Sequence, residues 1–418
     1  MTTDATAIAS TSVTTGITGS RWRASITPWG GIEPWDGDGT ALDWYVAADD
    51  RWHVPAREAS VRQVRLDGTP VTETRVRVPD GDVVQRVFSV ADSGGLTVIE
   101  VENESTMAVA VAVSRRDVLT ERPIADVPIE GIELPDGAFV MPLGHKATLR
   151  FAIAHGGPRS GPLASGLPTA RQVANGWLTM TERASRFVLP DGERGAGLAE
   201  RVTALRCEVA LGQIPNAVDD PVGFAIALGE LVRMGERPDP WLPELVDAVE
   251  LLGPDPSWEA AAALAAADRV LASADEDRAR RDLARITAGR SVTRRPGDPP
   301  DGIAAVPWLE SVFAVDGALL PGGLPASWYG QSIEVYGIPT SAAGAVSFAL
   351  RWHGERPAVL WEQVGDAVTL AAPAMAPDWS TSDTKGEALW PVPPDGDTIA
   401  VASDPADPAG PAGPVSFA

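Results

Sequence analysis

Residues 347–362 place several chemically active side chains in a short space. Two apolar runs, Phe348–Leu350 and Ala358–Trp361, flank a polar turn centred on Gly354, which predicts a β-hairpin. The side chains around this turn are an indole, an imidazole, two guanidinium groups and two carboxylates, from Trp352, His353, Arg351, Arg356, Glu355 and Glu362. This mixture suits a carbohydrate site, where a ring supports the sugar and charged groups hold its hydroxyls. A packed hairpin with Arg–Glu pairs on its surface is the alternative.

Two further polar and aromatic clusters lie near this hairpin in the sequence. Residues 327–331 read Ser-Trp-Tyr-Gly-Gln, and residues 377–381 read Pro-Asp-Trp-Ser-Thr. Loops at one end of a β-domain are common places for binding sites. The predicted sugar-binding residues are Trp328, Arg351, Trp352, His353, Trp361 and Trp379.

Hydrolysis of a glycoside needs two carboxyl groups, one of which is held protonated. Acidic residues are abundant here, and the best candidates by their neighbours are Glu334, Glu355, Glu362 and Asp378. We predict no metal and no cofactor. The histidines show no metal-ligand spacing, and Asp36-x-Asp38-Gly39 matches only the start of a calcium loop, because positions five and twelve are Thr40 and Ala47.

Composition narrows the classes of partner. The 418-residue chain has a net charge of −23, so nucleic acid and anionic membrane surfaces are poor partners. It has fourteen Trp against eight Phe and three Tyr, and the flat indole face suits stacking on sugars as well as packing in cores. No apolar run is long enough to span a membrane, no secretory signal is visible, and Cys207 is the single cysteine. These features favour a cytoplasmic protein.

The pattern of hydrophobicity divides the chain into five segments. Residues 1–20 are predicted to be a disordered leader. Residues 21–190 contain short alternating strands punctuated by Asp-Gly turns, which predicts an antiparallel β-sandwich. Helical spacing over 195–290 predicts about five short helices in hairpins. Residues 303–390 predict a small C-terminal β-sandwich, and 391–418 a loose Pro/Gly/Ala/Asp tail. The fold class is therefore α+β and multidomain.

This order of domains resembles bacterial glycoside hydrolases of the glucoamylase and glycogen-debranching type. Residues 349–362, Ala-Leu-Arg-Trp-His-Gly-Glu-Arg-Pro-Ala-Val-Leu-Trp-Glu, resemble a C-terminal β-segment of actinobacterial proteins of that style. The resemblance implies an N-terminal β-supersandwich followed by an (α/α)6 toroid that supplies the catalytic carboxylates. Twelve helices need about 300 residues, and the region 195–290 is too short for them. No catalytic residue is therefore carried over.

Three hypotheses follow from the sequence. The first is a protein that binds an oligosaccharide or glycan, with the layout of a glycoside hydrolase and without its catalysis. The second is an active glycosidase that uses a pair of the four candidate carboxylates. The third is a structural or accessory protein whose tryptophans lie at the subunit contacts of a homo-oligomer.

Overall fold

In the computed structural model of the chain, residues 12–35, 40–124 and 129–393 are described. The protein is a mixed α+β structure with several antiparallel sheets, which confirms the predicted fold class. It divides into two compact units, Met1–Leu178 and Thr179–Ala418.

The first unit is built from fourteen strands among its described residues. These strands are β1 Val13–Gly16, β2 Arg23–Ile26, β3 Ile32–Pro34, β4 Trp44–Ala47, β5 Trp52–His53, β6 Arg62–Arg65, β7 Thr72–Val78, β8 Gly81–Val90, β9 Leu96–Asn103, β10 Val109–Val113, β11 Leu119–Thr120, β12 Phe139–Leu143, β13 Thr148–Ala154 and β14 Gly161–Pro162. They form sheets of three, four and seven strands, in the orders β1-β2-β3, β12-β10-β4-β5 and β14-β11-β13-β9-β8-β7-β6. This is the sandwich-like arrangement expected from the regular turns.

Both faces of the seven-stranded sheet are covered. Ile99 and Val101 of β9 belong to one buried cluster, which also contains residues of the other two sheets. Val98 of the same strand belongs to a second cluster, together with Ala170 and Ala174. Strand β9 is accordingly buried at nearly every position rather than at alternate ones.

Two boundaries predicted from the sequence need correction. Strand β1 lies inside the predicted leader, where it pairs with β2 and is buried throughout; residues 1–11 lie outside the described residues. Helix α1, Ala170–Thr181, lies inside the region predicted to be β. The Gln172 amide oxygen accepts from the Thr169 backbone N–H at 2.9 Å, and the Thr169 hydroxyl accepts from the Gln172 backbone N–H at 3.3 Å. This is a capping box, which starts the helix.

The second unit contains the predicted helical region. Its helices are α2 Ala196–Ala210, α3 Pro221–Met234, α4 Leu242–Leu252, α5 Trp258–Ser273, α6 Asp277–Thr287 and α7 Ala305–Phe313. The Asp220 carboxylate accepts from the Gly223 backbone N–H at 2.8 Å, and Pro221 follows in the first turn, so α3 begins where its sequence signals place it. Gly235 ends that helix with φ +108°.

Nine strands among the described residues of the second unit form two sheets. They are β15 Arg186–Val188, β16 Ala314–Val315, β17 Ala318–Leu319, β18 Ile333–Pro339, β19 Gly344–His353, β20 Arg356–Gly365, β21 Leu370–Ala372, β22 Ala376–Thr381 and β23 Lys385–Leu389. The five-stranded sheet has the order β15-β18-β19-β20-β23, and the four-stranded sheet β16-β17-β21-β22. The predicted tail lies almost wholly outside the described residues, since these end at Pro393.

The helices and the C-terminal sheets of this unit share one core. A single buried cluster includes Ala227 of α3, Leu264 of α5, Leu309 of α7, Val335 of β18 and Phe348 of β19. The sequence suggests two separate segments, 195–290 and 303–390, because their hydrophobic periods differ. The apolar faces of both segments are buried in this common cluster.

Among the described residues, no helix combines the length and the apolar character needed to cross a membrane.

Candidate functional site

The hairpin predicted at residues 347–362 is present. Strands β19 and β20 pair antiparallel over their full lengths, and Gly354 and Glu355 form the two-residue turn between His353 and Arg356. Gly354 has a φ of +64°, a conformation that glycine adopts easily and that two-residue hairpins require.

The register of this hairpin decides which side chains face the core. Phe348 lies opposite Trp361 and Leu350 opposite Val359, and all four are buried. Trp361 is 7% exposed, and Trp328 is 5% exposed. These two predicted binding residues therefore pack in the interior instead of presenting their rings to solvent.

Trp361 belongs to a cluster of three tryptophans. The Trp361 ring lies 5.3 Å from that of Trp379, which lies 5.2 Å from that of Trp390. Both contacts are edge-on. The Trp361 indole N–H also donates to the Asp383 carbonyl at 3.1 Å. Edge-on packing and a satisfied N–H are typical of a structural role. The partly exposed Trp379 is held within this cluster.

A different aromatic pair lies at the tip of the hairpin. The rings of Tyr329 and Trp352 are 5.4 Å apart and tilted by 37°, and both are half-buried against the core. The Trp352 indole N–H donates to the Gln331 carbonyl at 2.8 Å. The side chains of His353 and Gln331 are exposed nearby in the chain. The contact between Tyr329 and Trp352 therefore brings together two of the predicted clusters, residues 327–331 and the hairpin turn. Tyr329 was not among the binding residues predicted from the sequence.

The four candidate carboxylates do not form one group. Glu355 is in the exposed turn, Asp378 is on β22 of the four-stranded sheet, and Glu334 and Glu362 lie on the five-stranded sheet. Strand β19 separates Glu334 from Glu362. Glu334 is opposite Ala349 and Glu362 opposite Ser347, so their backbones are about 12 Å apart.

Glu334 is held in its ionised form. It accepts from the Tyr336 hydroxyl at 2.6 Å and from the Arg351 guanidinium. The Tyr336 hydrogen bond, with help from Arg351, lowers the pKa of Glu334. A general acid of a glycosidase needs the opposite shift. Arg351, predicted to hold a sugar, instead forms an ion pair with Glu334 on the outer face of the sheet.

A carboxyl group with a raised pKa occurs in the first unit. Burial raises the pKa of Asp43, and a hydrogen bond from Trp29 offsets part of the effect. Trp29 belongs to the Thr27–Gly31 turn, which is fixed to the sheet by hydrogen bonds from Trp44 to the Trp29 carbonyl at 2.8 Å and from Gln63 to the Thr27 carbonyl at 2.7 Å. In the sequence, Asp43 is followed by two aromatic residues, Trp44 and Tyr45. This short pattern is the signal that could have marked Asp43 as a partly buried carboxyl group.

The second unit also contains a buried ionic cluster. The Arg206 Nε donates to Glu230 at 2.7 Å, and Arg233 donates to Glu230 at 2.6 Å. Glu310 accepts at one oxygen from Ser185 at 2.7 Å, Arg233 at 2.8 Å and Arg206 at 3.2 Å. Burial alone would raise the pKa of Glu230, but Arg233 and Arg206 outweigh it and hold the pKa well below its usual value. No sequence motif marks this cluster.

No protein-family model matches the chain, and no curated protein matches its sequence. Among the described residues, no group of three or more His, Cys, Asp or Glu side chains is placed to hold a metal ion. Asp36 and Asp38, the start of the calcium-like pattern, lie outside the described residues.

We predict that the stability of the first unit depends on pH because of His155. Its ring stacks on Trp22 with centroids 3.8 Å apart, and its Nε2 lies 3.0 Å from the Thr97 hydroxyl. Burial, followed by the charge of Arg23, lowers the pKa of His155 from 6.5 to about 4. The folded protein therefore binds this proton more weakly than the unfolded chain does. The associated stability is fully present above pH ~6.5 and is lost as the pH falls towards 4.

We expect this loss to reach about 2 kcal/mol, after allowance for the partial exposure of the ring. Urea unfolding of the wild type and of His155→Phe between pH 7 and pH 4 measures it. The variant should show a flatter profile in this range. Equal slopes for the two proteins would contradict the assignment to His155.

Proposed function

We propose that the protein binds an oligosaccharide at the Tyr329–Trp352 ring pair and does not hydrolyse it. The observation that carries this proposal is the pair itself, which is partly exposed at the tip of the β19–β20 hairpin. Sugar rings present apolar C–H faces that stack on aromatic side chains, while their hydroxyls bond to nearby polar groups. The exposed Gln331 side chain, whose backbone carbonyl accepts from the Trp352 indole, can supply such a group.

Three further features support binding without catalysis. Glu334 is ionised by its partners, and the four candidate carboxylates are spread over two sheets and a turn. The domain order also resembles that of glucoamylase-type enzymes, but the described helices α2–α6 are too few for the toroid that holds their catalytic groups. The cytoplasmic location and the formation of a homo-oligomer remain predictions from the sequence.

Titration calorimetry with maltodextrins and with a panel of other oligosaccharides tests the proposal. We expect the wild type to bind at least one of them, and Tyr329→Ala to bind it about 5-fold more weakly, since ring stacking contributes roughly 1 kcal/mol. The matched control is Tyr336→Ala, which removes a tyrosine side chain from the outer face of the five-stranded sheet, where Arg186 lies 5.1 Å from the Tyr336 ring centroid.

Two results would count against this proposal. One is the absence of binding to any sugar at millimolar concentration. The other is binding that Tyr336→Ala abolishes and Tyr329→Ala spares. Gln331→Ala, which changes an exposed side chain, tests the same site if the loss of the Tyr329 ring reduces folding.

A further inference from the structure

The five-stranded sheet of the second unit has one face in the core and one face open to solvent. Side chains alternate along its strands: on β20, Val359 and Trp361 are buried, whereas Leu360 and Glu362 are exposed. The outer face consists of the residues of all five strands that lie in register with Leu360 and Glu362. Each of these residues is exposed or partly exposed.

This outer face carries unusually large apolar side chains. An antiparallel sheet with one face in water normally has polar residues at its outward positions. Here, five large apolar side chains that are 37% to 66% exposed occupy such positions, namely Val188, Tyr336, Leu360, Val364 and Leu389. A single exposed apolar residue is ordinary, but a group of them on one surface is typical of an interaction site.

Four apolar residues of the outer face are direct neighbours. Leu360 of β20 lies opposite Ala349 of β19. Ala358, two positions before Leu360 on the same strand, lies opposite Leu389 of β23. Side chains that face each other across antiparallel strands are close enough to touch. The four residues therefore form a continuous apolar patch across β19, β20 and β23.

Charged side chains of both signs surround this patch. The basic residues of the outer face are Arg186, Arg351, Arg356 and Lys385, and the acidic ones are Glu334, Glu362 and Glu387. Glu355, in the adjoining turn, brings the balance to zero. An apolar centre with a polar rim is the usual layout of a protein–protein interface.

The absence of net charge on this face favours a second copy of the chain as the partner. The chain carries a net charge of −23, so two copies repel each other least where their surfaces are neutral. A strongly acidic or basic partner would gain no net attraction here. A two-fold contact places the same surface on both sides, and a surface with charges of both signs can complement itself.

The area of the outer face sets the expected strength of the contact. Five strands spaced about 4.8 Å apart, with outward residues over roughly 25 Å of their length, give a face of roughly 500–600 Å². Two such faces would bury roughly 1,000–1,200 Å² in total, which is at the lower limit for a specific interface. This area fits a reversible dimer with a micromolar Kd rather than a permanent one.

We propose that two copies of the protein associate through the outer face of this sheet. The two sheets pack face to face, as the sheets of a β-sandwich do, with Leu360 and Leu389 in the buried part of the contact. Trp352 lies on the opposite, core-facing side of the sheet. The proposal is therefore independent of sugar binding at the Tyr329–Trp352 pair.

Analytical ultracentrifugation of the full chain, over about 1–100 µM, tests the proposal. We expect the wild type to pass from monomer to dimer within this range. Leu360→Glu places a charge in the apolar patch and should raise the dimer Kd at least 10-fold. Leu251→Glu is the matched control, because Leu251 is 48% exposed on α4 and Leu360 is 44% exposed. It makes the same change of charge and should dimerise like the wild type.

The thermal midpoint of each variant follows its folding. If Leu360→Glu fails to fold, Leu389→Glu tests the same patch, because Leu389 is 48% exposed on the edge strand β23. Salt gives a second readout. Because salt screens the repulsion between two acidic copies and leaves apolar contact in place, we expect the dimer Kd to fall as salt is raised.

Three results would overturn the proposal. The first is a wild type that remains monomeric over the whole range, which would leave the outer face to a different partner or to solvent. The second is a dimer that Leu360→Glu and Leu389→Glu leave intact. The third is a dimer that weakens as salt is raised, because such a contact depends on charge pairs and not on the apolar patch.

Discussion

Glu230→Gln should lower the free energy of unfolding by about 3–5 kcal/mol. Glu230 is 2% exposed and accepts from two arginines, Arg206 and Arg233. The amide keeps the shape of the side chain but removes its charge, which leaves both guanidinium groups buried with fewer compensating charges. Breaking one side of a buried ion pair costs far more than the intact pair contributes, because the remaining charge cannot regain its water.

Urea unfolding at pH 7 measures this loss, with Glu236→Gln as the control. Glu236 lies just beyond the C-terminus of α3 and is exposed, so its substitution should change stability by about 0.5 kcal/mol or less. If Glu230→Gln lowers the free energy of unfolding by as little as the control does, water reaches the cluster and the arginines are not buried as described.

This cluster also shows what the sequence could not predict. Arg206 and Glu310 are 104 positions apart, and they meet only because α2 and α7 pack on a common core. Neither residue has a local pattern that separates it from the many other charged residues of these helices. Pairing over such a distance depends on the packing of whole elements, and a single sequence gives no measure of it.

Local features were predicted well where backbone chemistry determines them. The hairpin follows from Gly354 between two apolar runs, and the start and end of α3 follow from Asp220-Pro221 and Gly235. The missed helix α1 carried an equally local signal, because Thr169 and Gln172 are spaced as a capping box. The short apolar segments around it favoured strands.

The candidate sugar site was predicted only in part. Composition marks the tryptophans near the hairpin, but the register sets the orientation of each one. Trp361 lies on the same face of β20 as Val359 and Gln363, and all three are buried. The partner of Trp352 is Tyr329, from a separate loop, and this contact depends on the pairing of β18 with β19.

Gly365→Ala should have the second large effect on stability, a loss of about 2–5 kcal/mol. Gly365 ends β20 with a φ of +75°, and a Cβ atom there would lie 1.8 Å from the Ala343 carbonyl oxygen. The left-handed conformation costs about 1–2 kcal/mol for alanine. The contact with backbone adds about 1–3 kcal/mol, because the chain around Gly344 must move to relieve it.

Gly354→Ala separates these two contributions on the same hairpin. Gly354 also has a positive φ, +64°, but a Cβ atom there would meet nothing within 4 Å. Its substitution should therefore cost only the conformational part, about 1 kcal/mol. Urea unfolding of the two variants beside the wild type measures both values. Equal losses would show that the backbone near Ala343 yields freely. A larger loss for Gly365→Ala would show that the open end of the hairpin, where Gly365 pairs with Gly344, is tightly packed.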